Sequence, residues 1–315
     1  MRVPLGMLLL CGLAAAQQAP LFRGGVVLVH VDAEVTAPDG RVITGFGRDD
    51  FRVYDEGKAQ PVVLFSAGEE ALDLILLFDV SGSMRPKVME VADAAQLGVQ
   101  ELRKGDRVAV MVFNSKPRLL APFTEDLESV ERTIHDDVLS QPFAGSTLIQ
   151  TAVDDAAVRL MRQPRTQRRR AVLIVTDNFG QRSRRESTVV RDFWEADATL
   201  TALVVRSTAV ETFHTISTIM SPQLLAIQVG VKGITEKTGG DFIHAEDAGG
   251  AFQEAMHRIR SRYSLYYRLP DAKPQSTRTV HVELTGEAAK KHPKARVRAR
   301  TGYVVPVHPE EGTVK

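Results

Sequence analysis

The apolar run Leu74-Ile75-Leu76-Leu77-Phe78 ends in Asp79-Val80-Ser81-Gly82-Ser83, and a helix-like stretch follows. A buried strand, a tight loop and a helix in that order describe one crossover of an open α/β sheet, whose ligands bind at the carboxyl ends of the strands. Asp79, Ser81 and Ser83 are two residues apart, so in an extended loop they point the same way. Gly82 lets the loop bend without a side-chain clash. One carboxylate and two hydroxyls around one point are hard oxygen donors of the kind that hold Mg²⁺.

The pattern continues from Leu72 to about Ile259. Strands are expected at Leu74–Phe78, Val108–Phe113, Ala171–Thr176, Leu200–Val205 and Phe242–His244. Helices are expected at Val88–Leu102, Leu127–Val138, Leu148–Met161 and Thr188–Ala198, where apolar residues recur at helical spacing. Alternating strands and helices imply a mostly parallel, doubly wound sheet covered on both faces. Pro117 and Pro122 suit Lys116–Phe123 to a sheet edge. The stretch 208–232 reads as a helix followed by a loop.

The flanks read differently. Val26–Val35, Val42–Thr44 and a hairpin of Phe51–Tyr54 with Val62–Phe65 precede the α/β pattern. Tyr263–Leu269, Thr279–Leu284 and Arg296–Thr301 follow it. Neither group buries both faces of a sheet by itself. The expected fold class is therefore α/β, with a smaller β-sandwich-like domain formed by the N- and C-terminal strands. The corresponding division is a signal peptide at 1–16, a β segment at 20–68, the α/β domain at 70–262, a second β segment at 263–306 and a tail at 307–315.

Arg2, the apolar stretch Leu5–Leu13 and Ala14-Ala15-Ala16 have the form of an export signal with a small-residue cleavage site. Cys11, the single cysteine, lies inside that segment, so the mature chain has no disulfide. An exported chain of this length relies on its core instead. The expected address is periplasmic or extracellular. Lys plus Arg number 40 against 39 Asp plus Glu, so no basic field points to nucleic acid.

Two more loops join the first. Gly145-Ser146-Thr147 stands before the Leu148 helix, and Asp177 follows the Ala171 strand. Both lie at the same end of the sheet as Asp79, although a helix cap or a turn is the ordinary use of either residue. Together, Asp79-Val80-Ser81-Gly82-Ser83, Thr147 and Thr176-Asp177 resemble the metal-ion-dependent adhesion site of von Willebrand factor A domains. The resemblance implies hydroxyl ligation by Ser81, Ser83 and Thr147, with Asp79 and Asp177 binding directly or through water. It implies Mg²⁺ (or Mn²⁺ or Ca²⁺) and a protein partner that supplies a Glu or Asp carboxylate. Asn178 departs from the family, which usually has Gly after this aspartate. Asp50–Gly57, Thr238-Gly239-Gly240 and Arg300-Thr301-Gly302-Tyr303 further resemble a group of exported bacterial VWFA-related domain proteins.

The expected function is an exported, metal-dependent binding or adhesion module. The rival readings are a hydrolase using the same metal and an architectural envelope protein with a structural metal. A hydrolase needs an activated water and usually a base, and no His stands in the three loops. His135 falls on an outer helix, His214 in the 208–232 stretch and His244 at a strand end. Ser81 lacks the frame of an acyl nucleophile. Arg182, Arg184 and Arg185 are expected to flank the ligand face. Arg165, Arg168, Arg169 and Arg170 read as a solvated turn at the opposite end, and Arg296, Arg298 and Arg300 as the wet face of a strand. Tyr263, Tyr266 and Tyr267 are expected to pack in the β domain.

Overall fold

Val29, Val31, Ala33 and Val35 alternate with His30, Asp32 and Glu34 along β1 (Leu28–Thr36), and both sets are covered. The apolar set faces a sandwich core, while the charged set faces the α/β unit. In this computed structural model, residues 27–164, 166–205 and 228–307 are described. The expected signal segment with Cys11, and Arg165 and His214, lie outside them. So does most of the 208–232 stretch.

Along the chain follow β2 (Phe51–Asp55), β3 (Lys58–Gln60) and β4 (Leu64–Ser66), then the α/β unit. That unit runs β5 (Leu72–Asp79), α1 (Arg85–Val99), β6 (Arg107–Phe113), β7 (Pro117–Thr124), α2 (Leu127–Arg132), α3 (Ile149–Met161) and β8 (Arg169–Thr176). It continues with β9 (Gly180–Gln181), α4 (Glu186–Ala196), β10 (Ala198–Val205), β11 (Gln228–Val229), α5 (Lys232–Thr238), β12 (Phe242–Ala245) and α6 (Ala248–Arg260). The last elements are β13 (Tyr263–Arg268), β14 (Thr277–Leu284), α7 (Gly286–Lys291), β15 (Arg296–Ala299) and β16 (Gly302–Val304).

The central sheet has the order β12-β10-β8-β5-β6-β7. All its pairs are parallel except β6 with β7, which closes the edge antiparallel. Strands buried on both faces read as unbroken apolar runs, and β5, β8 and β10 are buried along their whole length. Their side chains split between two cores. Leu74, Leu76 and Phe78 pack with α1 and α6, whereas Ile75 and Leu77 pack with α3 and α4. The 127–138 helix expected from the sequence is present, but its second half, Thr133–Val138, winds as a π-helix. Helices α5, α6 and α7 were not expected. α6 starts at Asp247, whose carboxylate accepts from Gly249 N and Gly250 N, an N-cap that the sequence displays.

The chain's two ends pair with each other. β1 lies between β13 and β15, and β14 pairs with β2. Two four-stranded sheets, β15-β1-β13-β4 and β16-β14-β2-β3, share a core of Val31, Val53, Tyr263, Leu265, Tyr267, Val282 and their neighbours. The expected hairpin of Phe51–Tyr54 with Val62–Phe65 is corrected. β2 pairs with β3, and β4 crosses to β13 in the other sheet. Pro61 follows β3 and has no N–H to continue a ladder, so the chain leaves that sheet there. Val42–Thr44 makes only a single bridge, Thr36 to Val42.

Both arginine clusters are also corrected. Arg169 and Arg170 are buried, and Arg168 and Arg107 both grip the buried Asp73. Arg169 donates through Nε to Asp32 at 2.9 Å and through a terminal nitrogen to Ile259 O at 2.9 Å. Arg300 is buried against Asp197 and His30 O, and Arg298 reaches Glu34 and Asp241. Only Arg296 is exposed as expected of that stripe. Arg169, Arg298 and Arg300 meet carboxylates across the seam between the sandwich and the α/β unit, while Arg168 and Arg170 are held within the α/β unit by Asp73 and by backbone carbonyls. That seam lies at the amino ends of the parallel strands, which leaves their carboxyl ends uncovered.

Candidate metal centre

Asp79 is the last residue of β5 and fully buried. Its two oxygens are fixed separately. Oδ1 accepts from Ser81 N at 2.9 Å, a local turn that curls the loop back over the strand end. Oδ2 accepts from Thr176 Oγ1 at 2.8 Å, which ties β5 to the end of β8. Thr176 Oγ1 in turn accepts from Asn178 N at 3.1 Å. Thr176 is thus a positioning residue, and its place just before Asp177 was the only signal of it in the sequence.

Ser83 Oγ donates to Asp177 Oδ2 at 2.6 Å and lies 3.5 Å from Ser81 Oγ. Asp177 Oδ1 accepts from Phe179 N at 3.2 Å. The first and third loops therefore meet through their own side chains. Thr147 is buried, and its carbonyl accepts from Gln181 N at 2.9 Å. The hydroxyl of Thr147 is not spent on capping α3, whose N-cap position is Leu148 with no side-chain cap bond. Gly180 makes this approach possible. A Cβ there would lie 2.8 Å from Ile149 Cγ2 and 3.2 Å from Thr147 O.

A fourth loop takes part that sequence reasoning missed. Asn114, just after β6, accepts from Leu148 N at 2.9 Å and donates through Nδ2 to Ala144 O at 2.9 Å. It clasps the Thr147 loop from both sides. Asn178 has φ 59°, a left-handed conformation that glycine and asparagine accept most readily. The departure from the family's glycine is therefore conformationally neutral. Its Oδ1 also accepts from Val231 N at 2.9 Å, tying the loop to the start of α5.

The electrostatics of this mouth are unbalanced. Burial is the main cause that pushes the Asp79 carboxyl up to about 7, and the charge of Asp177 adds to it. Burial likewise raises Asp177. Among the described residues no lysine or arginine pairs with either. Two buried carboxylates with hydroxyls around them and no cation of their own suit a bound divalent ion. No group of three or more His, Cys, Asp or Glu gathers like metal ligands among the described residues, so any cation here leans on hydroxyls.

The other candidates fall elsewhere. Arg182 and Arg185 are exposed, while Arg184 lies 3.3 Å from Asp154 on α3. His135 is exposed beside Asp136, and His244 is on the edge strand against Phe242. One arrangement not expected from the sequence is Glu101, His257 and Ser261. His257 Nδ1 is 3.0 Å from Glu101 Oε2, and Ser261 Oγ is 3.4 Å from His257 Nε2. The Ser261 hydroxyl is 2.8 Å from His257 O, one turn back in the same helix, and donates there. It sits at a helix C-terminus, where the partial negative charge opposes an oxyanion.

Among known families, the von Willebrand factor type A domain matches residues 74–181, a span that contains all five candidate ligands. A search of curated proteins finds no match. Among solved structures, an aerotolerance-related membrane protein from Bacteroides fragilis is similar at 14% identity, over 60% of this chain and 98% of that one, with TM-score 0.45. BatB from Bacteroides thetaiotaomicron is similar at 17% identity, over 60% and 97%, with TM-score 0.44. A von Willebrand factor type A protein from Catenulispora acidiphila is similar at 12% identity, over 93% and 78%, with TM-score 0.47. No described helix is long and apolar enough to cross a membrane.

Proposed function

On the premise that this chain carries a von Willebrand factor type A domain, we propose that it is an exported binding module that captures an acidic group of a partner protein through a divalent cation. One observation carries the reading. Asp79 and Asp177, both buried and paired with no described lysine or arginine, are joined through Ser81 and Ser83 at the carboxyl ends of β5 and β8. Asp79, Ser81, Ser83, Thr147 and Asp177 would hold Mg²⁺, or Mn²⁺ or Ca²⁺ in its place. Bound there, the ion supplies Lewis acidity toward a partner Glu or Asp, because neutral hydroxyls leave much of its charge uncompensated.

The chain's own residues do the rest. Asp79 is held by Thr176 and the Ser81 amide, so its carboxylate is set before a cation arrives. Ser83 and Asp177 hold each other in register. Exposed Arg182 and Arg185 stand beside the Asp177 loop and favour an acidic partner's approach. The sandwich sits at the far end of the sheet and leaves this face free. The N-terminal Arg2–Ala16 pattern supports export.

The test is a pull-down from the same compartment with Mg²⁺ or with chelator, using the wild type and Asp79→Ala, beside calorimetry of Mg²⁺ uptake. Capture that needs Mg²⁺ and disappears in Asp79→Ala is the expected result. Capture that ignores both changes would sink the proposal. A hydrolase would instead turn over simple esters or phosphates, and we expect none. In an architectural protein chelator would lower the melting temperature while no partner depended on metal.

A further inference from the structure

The pairing of β6 with β7 slips on either side of Val110. Val108 pairs with Thr124, Val110 with Ala121 and Met111 with Leu119, so Ala109 has no partner on β7. Bulges bend a strand and re-aim its side chains. Here they carry β7 away from the end of α3 and open a cavity of about 280 Å³. It lies at the amino ends of the strands, at the other end of α3 from Thr147.

The lining divides by chemistry. Leu119, Pro122 and Phe123 on β7 make an apolar wall, and the buried Ile75 and Ala109 of the sheet lie behind the floor. Arg107, Arg159 and Arg162 rim it. Two of these are pre-set. Arg107 grips Asp73 with two bonds of 2.9 and 2.7 Å and lies over the Phe123 ring at 5.5 Å. Arg159 Nε donates to Asp155 at 2.6 Å, leaving its terminal nitrogens to other acceptors. Arg162 is exposed, and its guanidinium has no partner among the described residues. Arg168 shares Asp73 with Arg107, and Glu125 also acts on Arg107. Four arginines thus meet three carboxylates, and the surplus positive charge falls at the mouth.

We propose that this cavity binds a small carboxylic acid with a compact apolar tail. The carboxylate meets Arg159 and Arg162, and the tail lies against Leu119, Pro122 and Phe123. An arginine fork suits a planar carboxylate, and a concave apolar site with a few fixed polar groups is the usual form of a small-ligand pocket. The site is independent of the cation centre.

The probes are 3-phenylpropanoate, the uncharged 3-phenylpropanol and inorganic phosphate, titrated into the full chain by calorimetry and ligand-observed NMR. The expected result is binding of the acid, with the alcohol and phosphate each about tenfold weaker or worse, since each lacks one half of the recognition. Arg159→Ala with Arg162→Ala should weaken the acid by at least about tenfold. Arg162→Ala alone, an exposed change that spares the fold, should weaken it measurably. Circular dichroism and the melting temperature check that the variants are folded. No binding of the acid at millimolar concentration overturns the proposal. So does equal binding of the alcohol, phosphate binding as strong as the acid's, or acid binding that survives the double substitution in folded protein.

Discussion

Asp79 shows how one side chain links stability to ligand uptake. Its folded pKa, pushed up to about 7 chiefly by burial and then by Asp177, exceeds the ordinary carboxylate value of 3.8. A raised acid destabilises the fold when it ionises. In cation-free protein that cost is absent below about pH 4, grows as pH rises and is complete above about 7. Asp79→Asn is therefore expected to raise the cation-free melting temperature at pH 8 by a few degrees, the effect of a ΔΔG on the order of 1–2 kcal/mol, and to abolish the further rise on adding Mg²⁺. A lower melting temperature for Asp79→Asn without cation would contradict this account of the pair. Protons and cation compete for the same oxygens, so calorimetry should find Mg²⁺ affinity falling as pH drops below about 7.

At the scale of elements, β1 is the informative strand. Its run of Val and Leu was legible as a strand, and in the fold neither face is wet, because His30, Asp32 and Glu34 are covered at the seam with the α/β unit. His30 Nδ1 is 3.0 Å from Asp197, and its Nε2 is 3.2 Å from Asp32. Burial works against its charge, but Asp197 and Asp32 outweigh it and push its pKa up to about 10. Its contribution is full below about pH 6.5 and is lost as pH rises through about 10. Burial would raise Asp32 and Asp197, but Arg169, Arg300 and His30 hold both far below the carboxylate range. Their contribution is present above about pH 4 and lost as pH falls below it. His30→Gln should flatten the alkaline limb of a stability-against-pH curve and shrink the acid limb without removing it, since Arg169 and Arg300 still hold Asp32 and Asp197. Arg169→Met leaves Asp32 short of its main partner and should cost about 3–5 kcal/mol in denaturant melts. A loss under about 1 kcal/mol there would mean that solvent already reaches the seam.

At the scale of the whole molecule, the sandwich and the α/β unit are joined by backbone as well as charge. A Cβ on Gly239 would lie 2.3 Å from Arg300 N and 2.5 Å from Ala299 C. Gly239 also has φ 83°, a conformation that disfavours any side chain. Thr301 N donates to Lys237 O at 3.0 Å, and Trp194 Nε1 donates to the same carbonyl at 3.0 Å. The sequence segments Thr238-Gly239-Gly240 and Arg300–Tyr303 are thus two sides of one contact. Asp55, from the Asp50–Gly57 segment, accepts from Tyr267 Oη, Tyr303 Oη and Arg278 Nε inside the sandwich. A fragment of residues 70–262 would expose Arg169, Asp197 and Arg262 together. It is expected to melt well below the full chain and to lose the alkaline limb assigned to His30. Proteolytic removal of β1 should release β13 and β15 as well, since β1 lies between them. A tail that stays protected after β1 is cut away would contradict the pairing.

The sequence alone determined the mostly parallel α/β sheet and the three loops that carry Asp79, Thr147 and Asp177, because those features are local. Buried parallel strands are apolar runs, and their carboxyl ends are where loops gather. It did not reveal the positioning roles of Thr176 and Asn114 or the π-helical turn, nor that Arg169 and Arg300 are buried. A charged residue has the same one-letter appearance whether water or a carboxylate faces it. Only the folded chain decided which, by bringing β1 from one end of the sequence and β15 from the other against the amino ends of the central strands.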